Sequence, residues 1–159
     1  MGVDFTVIQP VRQLFGDRTQ GTQFEIPRER EAPFVGKSKD FPFSCPNINP
    51  RQTAVLQFES LGVTAGGRTN TQDRNILRIN GINIPGGITA GPGHPLGGGK
   101  VIPLWKSHSL IVDANVLKEQ NVLHIEAILI QIGIEQTLDT FIIDNVVVFF
   151  KTHASTVNL

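Results

Sequence analysis

The sequence predicts an all-β fold, a two-sheet antiparallel jelly-roll β-sandwich of about eight strands with little or no helix. Sixteen glycines and ten prolines cut the 159 residues into short segments separated by turns. Several of those segments alternate apolar and polar residues with the period of two that a half-buried strand requires. One of them carries Asn80-Gly81 between alternating flanks, the signature of a type I′ hairpin. The length suits a single domain over residues 1–159 with its own core.

In order along the chain, Phe5 to Ile8 reads as an opening strand stopped by Pro10. Thr22 to Ile26 alternates and ends at Pro27. From Pro27 to Arg51 five prolines exclude a long helix or a central strand, because proline lacks the N–H and restricts its predecessor. This stretch is expected to run extended from one sheet to the other, pinned by Phe34, Phe41 and Phe43. Thr53 to Glu59 is a strand with Ala54, Leu56 and Phe58 on one face. The hairpin over Ile76 to Ile84 follows, then a Gly-rich loop over residues 85–100. A loop of that length in a compact domain is usually functional or mobile. Val101 to Trp105 and His108 to Val112 read as strands, and Asp113 to Glu119 as a single helical turn capped by Asp113 or Asn115. Val122 to Ile130 reads as a long strand. The apolar run within Thr140 to Lys151 reads as a central strand buried on both faces.

Fourteen basic and fourteen acidic residues give no net charge. A phosphate-binding protein carries a basic excess, so no nucleic-acid partner is expected, and an anionic membrane surface is disfavoured on the same ground. The most apolar run, Val122 to Ile134, is too short to span a bilayer. Near-neutrality weakens colloidal repulsion and eases self-association, so a homo-oligomer is an open expectation. Cys45 is the one cysteine, which rules out an intrachain disulfide and fits a reducing compartment. With no basic n-region ahead of an apolar h-region, a cytoplasmic protein, a non-classically exported one or an already processed mature form is expected.

The segment Leu110 to Ile125, with Leu117-Lys118 and Asn121-Val122-Leu123, resembles a stretch of galactose-binding-like jelly rolls, domains of the carbohydrate-binding-module type. The Asn80-Gly81 hairpin and the closing Ile143-Asp144-Asn145-Val146 segment resemble two further parts of that pattern, in the same order over residues 53–152. The resemblance implies the fold and points to carbohydrate or glycoconjugate binding through loops at one end of the sandwich. It also implies a structural calcium ion, for which Asp73, Asp139 and Asp144 are the candidate ligands. The chain departs from the usual sugar binders in having no Tyr and a single Trp.

Trp105 is therefore the one obvious platform for stacking on a sugar ring, with Lys106, His108 and the loop residue His94 as polar helpers. The competing reading makes Trp105 a rim residue closing the sandwich and His94 a solvated side chain. The four histidines lack paired ligand spacing, which argues against zinc. Glu126 and Asp144 form no convincing glycosidase pair, and no Gly-x-Ser-x-Gly elbow occurs. Gly99-Lys100 lacks the flanking Gly and Ser/Thr of a phosphate loop. No enzyme is expected. The chain reads as a non-catalytic module that binds carbohydrate, or alternatively as an assembly subunit of a larger particle whose partner is another protein.

Overall fold

The computed structural model describes residues 1–17, 32–67, 72–96, 98 and 100–154. In chain order the strands are β1 Val3–Gln9, β2 Gln13–Phe15, β3 Phe34–Gly36, β4 Ser38–Ser44 and β5 Ala54–Leu61. They continue with β6 Ile76–Ile79, β7 Ile82–Asn83, β8 Gly93–Leu96, β9 Lys100–Pro103 and β10 Lys106–Val112. The last four are β11 Gln120–Glu126, β12 Leu129–Ile132, β13 Glu135–Leu138 and β14 Phe141–Lys151. No helix occurs among the described residues.

Two sheets dominate. Sheet A has the order β10-β5-β14-β2-β3, with β1 also paired to β14, and sheet B has the order β4-β11-β6-β7. Every pairing is antiparallel except the short β2–β3 pair. Alternation along each strand turns one side chain in two toward the facing sheet. Sheet A supplies Leu56, Phe58, Phe141, Val148 and Phe150 to the resulting core, and sheet B supplies Phe41, Leu77, Ile79, Leu123 and Ile125. Phe15 stacks on Phe141 at 5.3 Å and meets Phe41 across the gap at 6.4 Å. The architecture is all-β and sandwich-like.

The hairpin at Asn80-Gly81 forms as its sequence requires, with φ of 53° and 79° at the two turn residues. The described part of the proline-rich segment passes from β3 at one edge of sheet A to β4 at one edge of sheet B. Pro42 lies on that edge strand, where a missing N–H costs no ladder bond on the open side. Phe41 and Phe43 are buried, whereas Phe34 is 39% exposed. The strand expected at Thr22 to Ile26 falls outside the described residues.

Several expectations need correction. Strands are more numerous and shorter than eight, because runs of two to four residues such as β2, β3 and β7 carry too little periodicity to be read. Within residues 85–100 the chain begins a separate hairpin, β8–β9, with Gly93 opposite Pro103 and Leu96 opposite Lys100. No helical turn forms after Asp113; Asn115 instead takes φ of 69° in a tight turn. The strand from Val122 stops at Glu126, and Leu129 starts a second small hairpin, β12–β13.

The last strand is central, with β5 on one side and β1 and β2 on the other, but only its first four residues are buried on both faces. The register slips between Asp144 and Val147, where Asn145 has φ of 51°. This is a β-bulge. Beyond it the strand alternates, with Val146, Val148 and Phe150 inward and Asn145, Phe149 and Lys151 outward.

Candidate interaction surface

Trp105, Lys106 and His108, three of the residues expected to form a sugar site, are each engaged separately. Trp105 follows β9, half-buried against the cluster of Leu14, Ala32, Leu61 and Ile142. The Arg12 guanidinium lies 4.8 Å from the centre of its ring, so one face of the platform carries a cation–π contact. Arg12 is held in turn by Asp144, Nε to Oδ2 at 3.0 Å. Lys106 reaches back to the Gly-rich segment, donating from Nζ to Thr89 Oγ1 at 2.6 Å and to the Ala90 carbonyl at 3.2 Å. His94 lies on β8 opposite Ile102; its side chain is outside the described part of the structure.

His108 points into the sandwich, only 6% exposed, parallel to the Phe58 ring at 4.4 Å. Its Nε2 is 2.8 Å from Ser60 Oγ. Burial, with the Lys106 charge adding to it, lowers its pKa to about 4, so the ring is neutral at physiological pH. A serine–histidine contact suggests a nucleophile and its base. Ser60 is 1% exposed, however, and the pair is interior packing that satisfies two polar groups. His108 is therefore not a rim residue beside Trp105.

The acidic residues proposed as calcium ligands are likewise occupied. Asp139 is fully buried, and its carboxylate accepts hydrogen bonds from the Thr64 and Ala65 amides, Thr64 Oγ1 and Asn75 Nδ2. Asn75 Oδ1 accepts from the Ile128 amide, so the network fastens the segments on either side of residues 68–71 to the start of β12. Asp144 accepts from Arg12 and from the Asn145 amide. Asp73 is exposed. Among the described residues no three His, Cys, Asp or Glu side chains converge as a metal site.

On the outer face of sheet B, His124 is clamped between two carboxylates, Nδ1 to Asp40 at 2.6 Å and Nε2 to Glu126 at 3.0 Å. Partial burial opposes the charged ring, but the two hydrogen bonds and the two negative charges outweigh it and raise the pKa. Lys37 closes the chain of charges on Glu126 at 3.3 Å. Cys45 is buried, and desolvation pushes its thiol up to about 12, which leaves it protonated and inert.

The feature that stands apart is the outer face of sheet A. Register places Phe5 opposite Phe149, Phe149 opposite Val55, and Val55 opposite Ile111. These four residues form one apolar row across β1, β14, β5 and β10. Val3 and Val7 flank it on β1. Exposure is 72% for Val3, 57% for Phe5, 47% for Val7, 55% for Ile111 and 37% for Phe149. Phe5 and Phe149 touch each other at 6.0 Å between ring centres. Beside the row, Gln57, Glu59, Ser107, Ser109, Asn145 and Val147 line a shallow depression of about 320 Å3. Asn145 Nδ2 donates to Glu59 Oε2 at 2.9 Å at its end.

Scattered surface hydrophobics are normal; these lie in one contiguous row across four strands. The alternation of Val3, Phe5 and Val7 was visible in the sequence. Its outward direction was not, because the facing sheet had to be known first. No protein-family model, curated protein or solved structure matches this chain.

Proposed function

We propose that this chain is a non-catalytic assembly module with a jelly-roll-type sandwich, acting through the outer face of sheet A rather than through a small-molecule site. The observation that carries the reading is the row of exposed Phe5, Phe149 and Ile111 joined through half-buried Val55, with Val3 and Val7 beside it. Covering that row removes apolar surface from water at about 25 cal/mol per Å2, a gain a solvated sheet face forgoes. The interior Ser60–His108 pair and the saturated Asp139 carboxylate support a structural rather than a catalytic chain.

Hydroxyl-radical footprinting of the full chain tests this. Phe5 and Phe149 oxidise slowly in extract of the cells that make the protein and rapidly after dilute purification. Equal oxidation in both settings rules the reading out.

One observation favours the carbohydrate reading. Arg74, Arg78 and Asn83 line a groove of about 280 Å3 beside the β6–β7 hairpin, with Gly86 and Gly87 along its wall. Arg78 Nε is fixed on Asn83 Oδ1 at 2.8 Å, and Arg74 donates to the Gly86 carbonyl. Such a groove suits an acidic sugar. Glycan-array binding lost on Arg78→Ala would establish it; an array without signal would retire it.

A further inference from the structure

Resting on the reading of sheet A as a contact face, we infer that its partner is a second copy of this chain, stacked face to face and end for end. The face is built to match itself. Its apolar row runs across the strands, from Phe5 through Phe149 and Val55 to Ile111. A two-fold axis lying along that row places each of these residues against its own copy, the isologous arrangement of a closed dimer. The same rotation keeps every strand over its counterpart and reverses its direction.

Charge decides the direction. Among the outward positions of β1, β14, β5 and β10 in this register, the charged residues are Glu59 and the facing Asp144 at one end, Asp144 being paired with Arg12, and Lys151 at the other. Lys151 is two residues beyond Phe149 on β14, and Glu59 is four residues beyond Val55 on β5, toward the opposite end. End-for-end stacking brings Lys151 of each copy toward Glu59 of the other. Stacking with the strand ends aligned sets lysine over lysine and glutamate over glutamate, which is repulsive. With no net charge on the chain, no long-range repulsion opposes two copies meeting.

The size fits a weak dimer. Four strands about 4.8 Å apart and seven residues long at about 3.3 Å each make a plate of roughly 19 by 23 Å. Such a plate covers about 440 Å2, roughly half of the 800 Å2 that each partner of a standard interface buries, which is the size of a weak, reversible contact. Sheets pack face to face about 10 Å apart in this way within ordinary sandwiches.

Sedimentation velocity on the purified full chain, from about 1 μM to about 1 mM, tests the inference. The expected result is a monomer–dimer equilibrium whose dissociation constant rises at least tenfold in Phe149→Glu and in Ile111→Lys. Both positions are outward on their strands, and far-ultraviolet circular dichroism checks that each variant folds. Glu59→Lys and Lys151→Glu each weaken the dimer about threefold, and the double variant returns to within about twofold of the parent. A chain that stays monomeric throughout overturns the inference, and so does a dimer indifferent to both Phe149→Glu and Ile111→Lys. Single charge variants that weaken the dimer without mutual rescue overturn the end-for-end arrangement. A monomeric pure chain whose Phe5 and Phe149 are nevertheless protected in extract sinks the second copy alone. Absence of that protection sinks the contact face itself.

Discussion

Asn80 donates from Nδ2 to Oδ1 of Asn121 at 2.9 Å, and the two side chains together tie the β6–β7 turn to the start of β11. Asn80 also donates to the Val116 carbonyl and accepts from the Val122 amide. Asn121 accepts from the Lys118 amide and donates to the Lys118 carbonyl. Asn80→Gly keeps the positive φ of the turn and removes the network, whereas Asn80→Ala loses both. Urea denaturation is expected to show a loss of about 1–2 kcal/mol for Asn80→Gly and a larger one for Asn80→Ala. Equal losses would mean that the turn geometry contributes nothing.

Asp139 is the second structural anchor. Asp139→Ala leaves the Thr64 and Ala65 amides and the Asn75 side chain without their shared acceptor inside the protein. The expected cost is about 3–5 kcal/mol, read from the urea midpoint. Asp139→Asn is expected to fall between this variant and the parent, because one of its two oxygens survives as an acceptor.

His108 makes stability depend on pH. Its pKa is about 4 in the folded chain against about 6.5 unfolded, so between these values the unfolded chain binds the extra proton. Stability therefore falls as pH drops from about 6.5 to about 4, by about 3 kcal/mol, and this contribution levels off below. His108→Gln removes that slope from melting curves recorded across the window. The clamped His124 has the opposite sign, since its raised pKa gives a contribution full below pH 6.5 and lost as pH rises through the folded value.

Trp105 reports on its own cover. As the single tryptophan it gives one fluorescence signal, half-shielded by the Leu14–Ile142 cluster and by Arg12. Arg12→Ala is expected to raise the acrylamide quenching constant about twofold, because the guanidinium no longer lies over the ring. Unchanged quenching would show that Arg12 does not screen the ring in solution.

What could be read from the sequence was local. Asn80-Gly81 specifies its turn by backbone conformation alone, and the TAVLQFE segment specifies β5 by alternation. Ser60 and His108 are forty-eight residues apart, and Asp139 and Asn75 sixty-four, so nothing within either segment announces the pairing. Trp105 stands out in the sequence as the single tryptophan, but the Arg12 that covers it is more than ninety residues away along the chain. The apolar row on sheet A is hidden from the sequence for the same reason. Phe5, Phe149, Val55 and Ile111 become neighbours only once four strands are in register.

The slip at Asp144 and Asn145 has one more effect on that row. It sets the parity of everything after it in β14: odd-numbered residues look outward and even-numbered ones inward. Removing a single residue at the slip would exchange the two sets, turning Val148 and Phe150 to the solvent and sending Lys151 toward the core. The chain thus stores the identity of its outer surface in one backbone irregularity, some distance from the side chains that surface displays.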